Sequence, residues 1–163
     1  MELLRAGDQQ ALGALAAVQP QATRFLLGRL WDPDEIIRRR AARAIGVAAA
    51  SHREIGADLL RRLMWALNDE SATNGLYGIP AVAEIGFNDP ELAAPFIAPL
   101  ASISWDDGLR MEIILALIRI AEAAPEKVRP VCRQVSEHVD FENPIERQAF
   151  DRLLEESGGI DES

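Results

Sequence analysis

The residues of this chain best suited to gripping another molecule are arginines: Arg38, Arg39 and Arg40 run together, and Arg43 follows. Guanidinium forks hold carboxylates and phosphates through paired hydrogen bonds, so such a cluster reads as an anion-gripping patch. Helical geometry puts Arg39, Arg40 and Arg43 on one face and turns Arg38 away from it. The plainer reading is that these side chains pair with Asp34, Glu35 or a neighbouring helix and otherwise face water. The second candidate is the stretch 68–84, NDESATNGLYGIPAVAE, in which two glycines and a proline interrupt the apolar periodicity. A helix must therefore begin near Ile79 or bend there. An irregular stretch held by rigid helices would project Asn74, Tyr77 and Glu84 near one edge, the usual place for binding groups. The alternative is a long turn with Tyr77 packed on its neighbour.

Other chemistry-bearing residues are sparse. There are two histidines, His52 and His138, far apart in sequence, so acid–base catalysis lacks its usual agent. Cys132 is the single cysteine, which excludes an intramolecular disulfide. Its helical spacing with Val128, Val131 and Val135 predicts a buried, inert thiol rather than a nucleophile. Asp69-Glu70 and Asp106-Asp107 could attract a cation, but both stand where helices begin, and carboxylates there cap free amides. No GxGxxG, P-loop, HExxH or GxSxG pattern is present. The expectation is no catalytic residue, no metal and no cofactor. Trp31, Trp65 and Trp105 recur at intervals of 34 and 40 residues. Core packing at the ends of successive helix pairs is the first reading of them, and an aromatic surface for a partner is the second.

The elements that must position these residues are helices. Ala22 to Leu30, Ile55 to Leu67, Leu92 to Ala101 and Val128 to Val139 carry apolar residues at three- and four-residue spacing. Between them lie Ile36 to Gly46, Leu76 to Gly86, Arg110 to Ala121 and Pro144 to Leu154, the first two 40 residues apart and both ending in Ile-Gly. A short helix around Gln9 to Val18 leads in. Asp, Asn or Ser stands in each turn, and Pro lies at or near the first turn of three of the helices that follow. Nothing alternates with period two, so no sheet is expected. One helix pair cannot bury its own apolar face, so the pairs must stack. We expect an all-α domain over residues 1–156 and a flexible C-terminal tail over 157–163.

Composition fits one such domain: 163 residues, 48% hydrophobic and 26% charged. No run of about 18 apolar residues occurs, and the N-terminus lacks the basic and apolar stretches of a signal peptide, so a cytoplasmic protein with no membrane segment is expected. The net charge of −9 argues against general nucleic-acid binding. The charge is uneven, with ten of the 17 basic residues but seven of the 26 acidic ones in residues 1–65. That dipole could orient a charged partner.

The segment Asp34 to Gly46, DEIIRRRAARAIG, resembles the second helix of a HEAT repeat, with Asp34, Ile37, Arg38, Ala41, Ala44 and Gly46 in comparable places, though Gly46 sits closer than usual. Later copies depart further, with Tyr77 and Pro80 in the second and Arg110 and Glu112 opening the third. The resemblance implies an α-α superhelix of about four HEAT-like antiparallel pairs. HEAT proteins are mainly scaffolds and adaptors, which implies a non-enzymatic protein-binding role. Neither histidine here is followed by Glu, as the di-iron sites of HEAT-type deoxyhypusine hydroxylase require. HEAT-like DNA glycosylases need a basic groove, and HEAT-type phycobilin lyases and other small-molecule accessory proteins find no distinguishing residue here. The reading is an adaptor or assembly factor that offers a partner protein the concave inner helices and the 68–84 loop. Arg39, Arg40, Arg43, Asn74, Tyr77, Glu84 and Arg110 would line one strip. The alternatives are nucleic-acid binding or a small-molecule accessory role.

Overall fold

The computed structural model describes residues 1–67 and 73–160, without the side chains of Gln9, Ala17, Pro20, Thr73 and Asn74. Every regular element among them is helical, so the fold class is all-α. In chain order these are α1 (Glu2–Ala6), α2 (Gln9–Val18), α3 (Pro20–Arg29), α4 (Glu35–Ser51), α5 (Arg53–Leu67) and α6 (Thr73–Leu76). Then come α7 (Ile79–Asn88), α8 (Pro90–Ala101), α9 (Asp107–Ala121) and α10 (Pro125–Val128). A 3₁₀ turn at Arg129–Val131 leads into α11 (Cys132–Ser136), and α12 (Pro144–Ser157) closes the series. No described helix is long and apolar enough to cross a membrane.

The turn residues start these helices as their chemistry requires. Asp34 accepts the Ile36 amide at 2.8 Å, Asp89 that of Leu92 at 3.0 Å, Asp106 that of Gly108 at 2.8 Å and Asn143 that of Ile145 at 3.0 Å. Each satisfies an amide that has no partner inside the helix. Pro80 falls in the first turn of α7, so the helix begins at Ile79 rather than bending there. The expected helix from 128 to 139 is instead broken into α10, the 3₁₀ turn and α11, because Pro130 has no amide to donate. At the C-terminus α12 runs through Ser157, which is buried, and Gly158 ends it in the left-handed region at φ 79°.

The helices form two layers. Helices α2, α4, α7, α9 and α12 pack side by side in that order, while α3, α5, α8 and α10 cover them from one side. Connections of one to a few residues join most of the described helices. Several tertiary pairs join positions 35 or 36 residues apart. Arg40 meets the carbonyls of Leu4 and Arg5, Arg119 meets Glu84, and Arg110 meets Glu146, each 35 or 36 residues away. Arg53–Asp89 at 3.2 Å and Lys127–Glu91 at 2.7 Å repeat that spacing in the covering layer.

Between the layers lies the core, in which Ile45, Ile85, Ile113, Leu117 and Ile120 are fully buried. Each such side chain contributes about 1.5–3 kcal/mol relative to an exposed position. Small residues set the spacing of the inner layer. A Cβ at Gly46 would stand 2.6 Å from the Glu84 carbonyl oxygen, so α4 can approach α7 this closely only with glycine there.

Candidate functional site

On the side of the inner layer away from its cover, α4, α7, α9 and α12 enclose an open groove of about 630 Å³. Helical periodicity selects what each helix shows to it. From α4 come Glu35, Arg38, Arg39, Ala42 and Arg43, spaced as one helix face. Pro80, Ala83 and Glu84 come from α7, with Leu76 and Tyr77 just before it. Glu112, Leu115, Ala116 and Arg119 form the matching face of α9, and Arg152 alone arrives from α12. Ala42, Ala83 and Ala116 line the groove from three helices and keep its floor low between taller charged side chains.

The walls are cross-linked. Glu84 receives Arg119 at 3.2 Å and, more distantly, Arg43 at 3.8 Å. Arg119 also reaches Glu122 at 2.6 Å, and Glu122 receives Arg152 at 3.3 Å. The Arg119 guanidinium lies 3.3 Å from the centre of the Phe87 ring, a cation–π contact. Burial works against its charge, and the hydrogen bonds to Glu122 and Glu84 outweigh that, leaving its pKa raised. At the other end of the groove Arg39 pairs with Glu35 at 2.7 Å. Arg38 stacks over the Tyr77 ring at 5.0 Å and donates to the Asp32 carbonyl at 2.7 Å. Glu112 differs from the rest: it is half-buried, and no described residue gives it a hydrogen bond or an ion pair. Burial raises its pKa, Arg39 and Arg38 pull it down, and Glu35 adds to the rise.

Of the candidate residues read from sequence, Arg39, Arg43, Tyr77 and Glu84 line this one groove. Two do not. Arg40 points to the other side of α4, where it donates to the Leu4 and Arg5 carbonyls at the end of α1. Arg110 is 6% exposed and is held by Ser104, Trp105, Asp107 and Glu146, so it serves the interior. The Asn74 side chain and residues 68–72 of the expected loop lie outside the described residues. The tryptophans correct the core reading: Trp31, Trp65 and Trp105 are 42%, 72% and 63% exposed. Trp65 stands on the outward face of α5 with Arg61 and Arg62, and Trp31 and Trp105 lie in turns between helices. Cys132 is fully buried, as its spacing requires.

Sequence reasoning missed Arg38, Glu112, Leu115, Arg119 and Arg152. The stripe Glu112-Leu115-Arg119-Glu122 is visible as one helix face, but sequence alone does not separate a groove wall from a solvated surface. The groove forms only when α4, α7, α9 and α12, distant in sequence, stand side by side.

No family model matches the chain, and no solved structure matches it. An uncharacterized protein of Archaeoglobus fulgidus is 31% identical to it over 117 residues, which are 69% of this chain and 63% of that protein. The chain thus spans less than two thirds of that relative's length.

Proposed function

We propose that this protein is a non-enzymatic scaffold, a HEAT-like α-α superhelix that holds a segment of a partner protein in the groove of its inner helices. Support for the superhelix comes from the repeated separation of 35 or 36 residues between tertiary partners, which is what stacked equivalent units produce. The observation that carries the function is the groove itself, with an apolar floor of Tyr77, Pro80, Ala83 and Leu115 between ionic walls. A cleft with an apolar floor and a charged rim matches the way protein segments are bound, with anchors below and polar contacts around them. Five arginines and four glutamates alternate along it, whereas tracking a phosphate backbone needs unopposed cations.

A photo-crosslinking amino acid at Leu115, compared with one at Arg61 on the covering helix α5, tests this in the native host. One dominant protein adduct at Leu115, absent at Arg61 and lost on Arg43→Glu, is expected. Equal adducts at both positions, or none at Leu115, would overturn the scaffold reading.

A further inference from the structure

Of the four carboxylates in the groove, one stands without an ion-pair partner among the described residues. Glu35, Glu84 and Glu122 each have an arginine within 3.3 Å, whereas Glu112 has no ion-pair partner among the described residues. The Tyr77 hydroxyl beside the same floor likewise has no hydrogen-bond partner among them. A half-buried carboxylate has lost part of its hydration, and nothing in the protein replaces it. Its raised pKa reflects that loss. Arg38 and Arg39 cannot turn to it without giving up the Asp32 carbonyl and Glu35 respectively. A cation supplied from outside would restore what burial removed.

We propose, resting on the scaffold reading above, that the groove's occupant is an amphipathic helical segment of another protein that seats one lysine or arginine on Glu112 and lays its apolar face on Leu115, Ala83 and Pro80. Glu112 then fixes its register, because it is the one site in the groove where a cation gains a partner without displacing another. This is a helix-in-groove mode, with apolar anchors for affinity and one ion pair for specificity.

The test uses three fluorescent amphipathic helical peptides of equal length, built from Leu with Lys, Leu with Gln or Leu with Glu, read by anisotropy at physiological salt. Each is titrated into the wild-type chain, Glu112→Gln, Leu115→Arg and Glu54→Gln, the last a substitution of equal charge on the outward side of α5. The Leu/Lys peptide is expected to bind wild type and Glu54→Gln alike and to bind Glu112→Gln about tenfold more weakly, the scale of one charged hydrogen bond. Leu/Glu is expected not to bind. If Leu/Lys and Leu/Gln bind equally, and Leu115→Arg abolishes both while Glu112→Gln changes neither, the groove stands and the Glu112 seat is overturned. Equal weakening by Glu54→Gln and Glu112→Gln would mean diffuse attraction and would also overturn the seat. If no peptide binds the wild-type chain, the inference and the scaffold reading fall together.

Discussion

Arg110 brings a charge into the base of α9, where its guanidinium donates to the Ser104 carbonyl at 2.9 Å and faces Glu146 at 3.4 Å. Glu146 in turn accepts the Asp140 amide at 2.9 Å, so this pair ties the turn before α9 to the turn before α12. Both side chains are largely buried, and removing one strands the other without solvent. Arg110→Met alone is expected to cost about 3–5 kcal/mol in urea unfolding. The double change Arg110→Met/Glu146→Leu should recover most of that loss, since no charge is then left unpaired. A double variant as unstable as the single one would show that the hydrogen bonds to the turn, rather than charge burial, matter most. Arg40 tells a related story at the other end of the molecule, where it satisfies carbonyls of α1. These two arginines appear in sequence among candidates for partner binding, and only tertiary contacts separate them from Arg39 and Arg43.

Helix by helix, much of the fold is legible before any coordinates. Three- and four-residue spacing marks the elements, Asp and Asn mark their starts, and the Ile-Gly endings of Ile36 to Gly46 and Leu76 to Gly86 reveal two corresponding inner helices. The break at Pro130 was less legible, because Val128, Val131, Cys132 and Val135 keep a helical period across it while the missing amide forces a tighter turn. Trp65 and Trp105 were misplaced in the core because their recurrence along the chain does not report the face each occupies: Trp65 falls off the buried stripe of Leu60, Leu63, Met64 and Leu67, and Trp105 lies in a turn. Half of the site was legible for a similar reason: α4 advertises its arginines by their density, whereas Glu112 and Arg119 gain meaning only beside α4 and α7. Glycines test this packing directly. Gly46→Ala would drive a Cβ to 2.6 Å from the Glu84 carbonyl oxygen, and we expect it to destabilise the fold by about 1–3 kcal/mol. Gly28→Ala in α3 meets nothing within 4 Å and should stabilise it by up to about 1 kcal/mol. Equal urea midpoints for the two variants would contradict the close approach of α4 and α7.

Across the whole molecule, helices touch mainly their neighbours in the two layers, so stability is a chain of local interfaces rather than one central knot. The last link is α12, which packs on α9, α10 and α11 and buries Phe150 and Leu153. Ser157 in its final turn lies 3.3 Å from the Cys132 sulfur, and both residues are fully buried. Because this is the chain's single cysteine, the contact gives the molecule a built-in clock. A thiol reagent can react only after the cover of this sulfur opens, and the end of α12 is part of that cover, so the labelling rate under native conditions counts local openings at this end of the fold. We expect labelling faster than global unfolding allows. Phe150→Ala, which removes the ring packed edge-on against Phe141 at 5.9 Å, should accelerate it further. Labelling that keeps pace with global unfolding in both proteins would mean that the stack opens all at once. Labelling that runs ahead would let one sulfur atom time the local opening of α12, with no probe added to the chain.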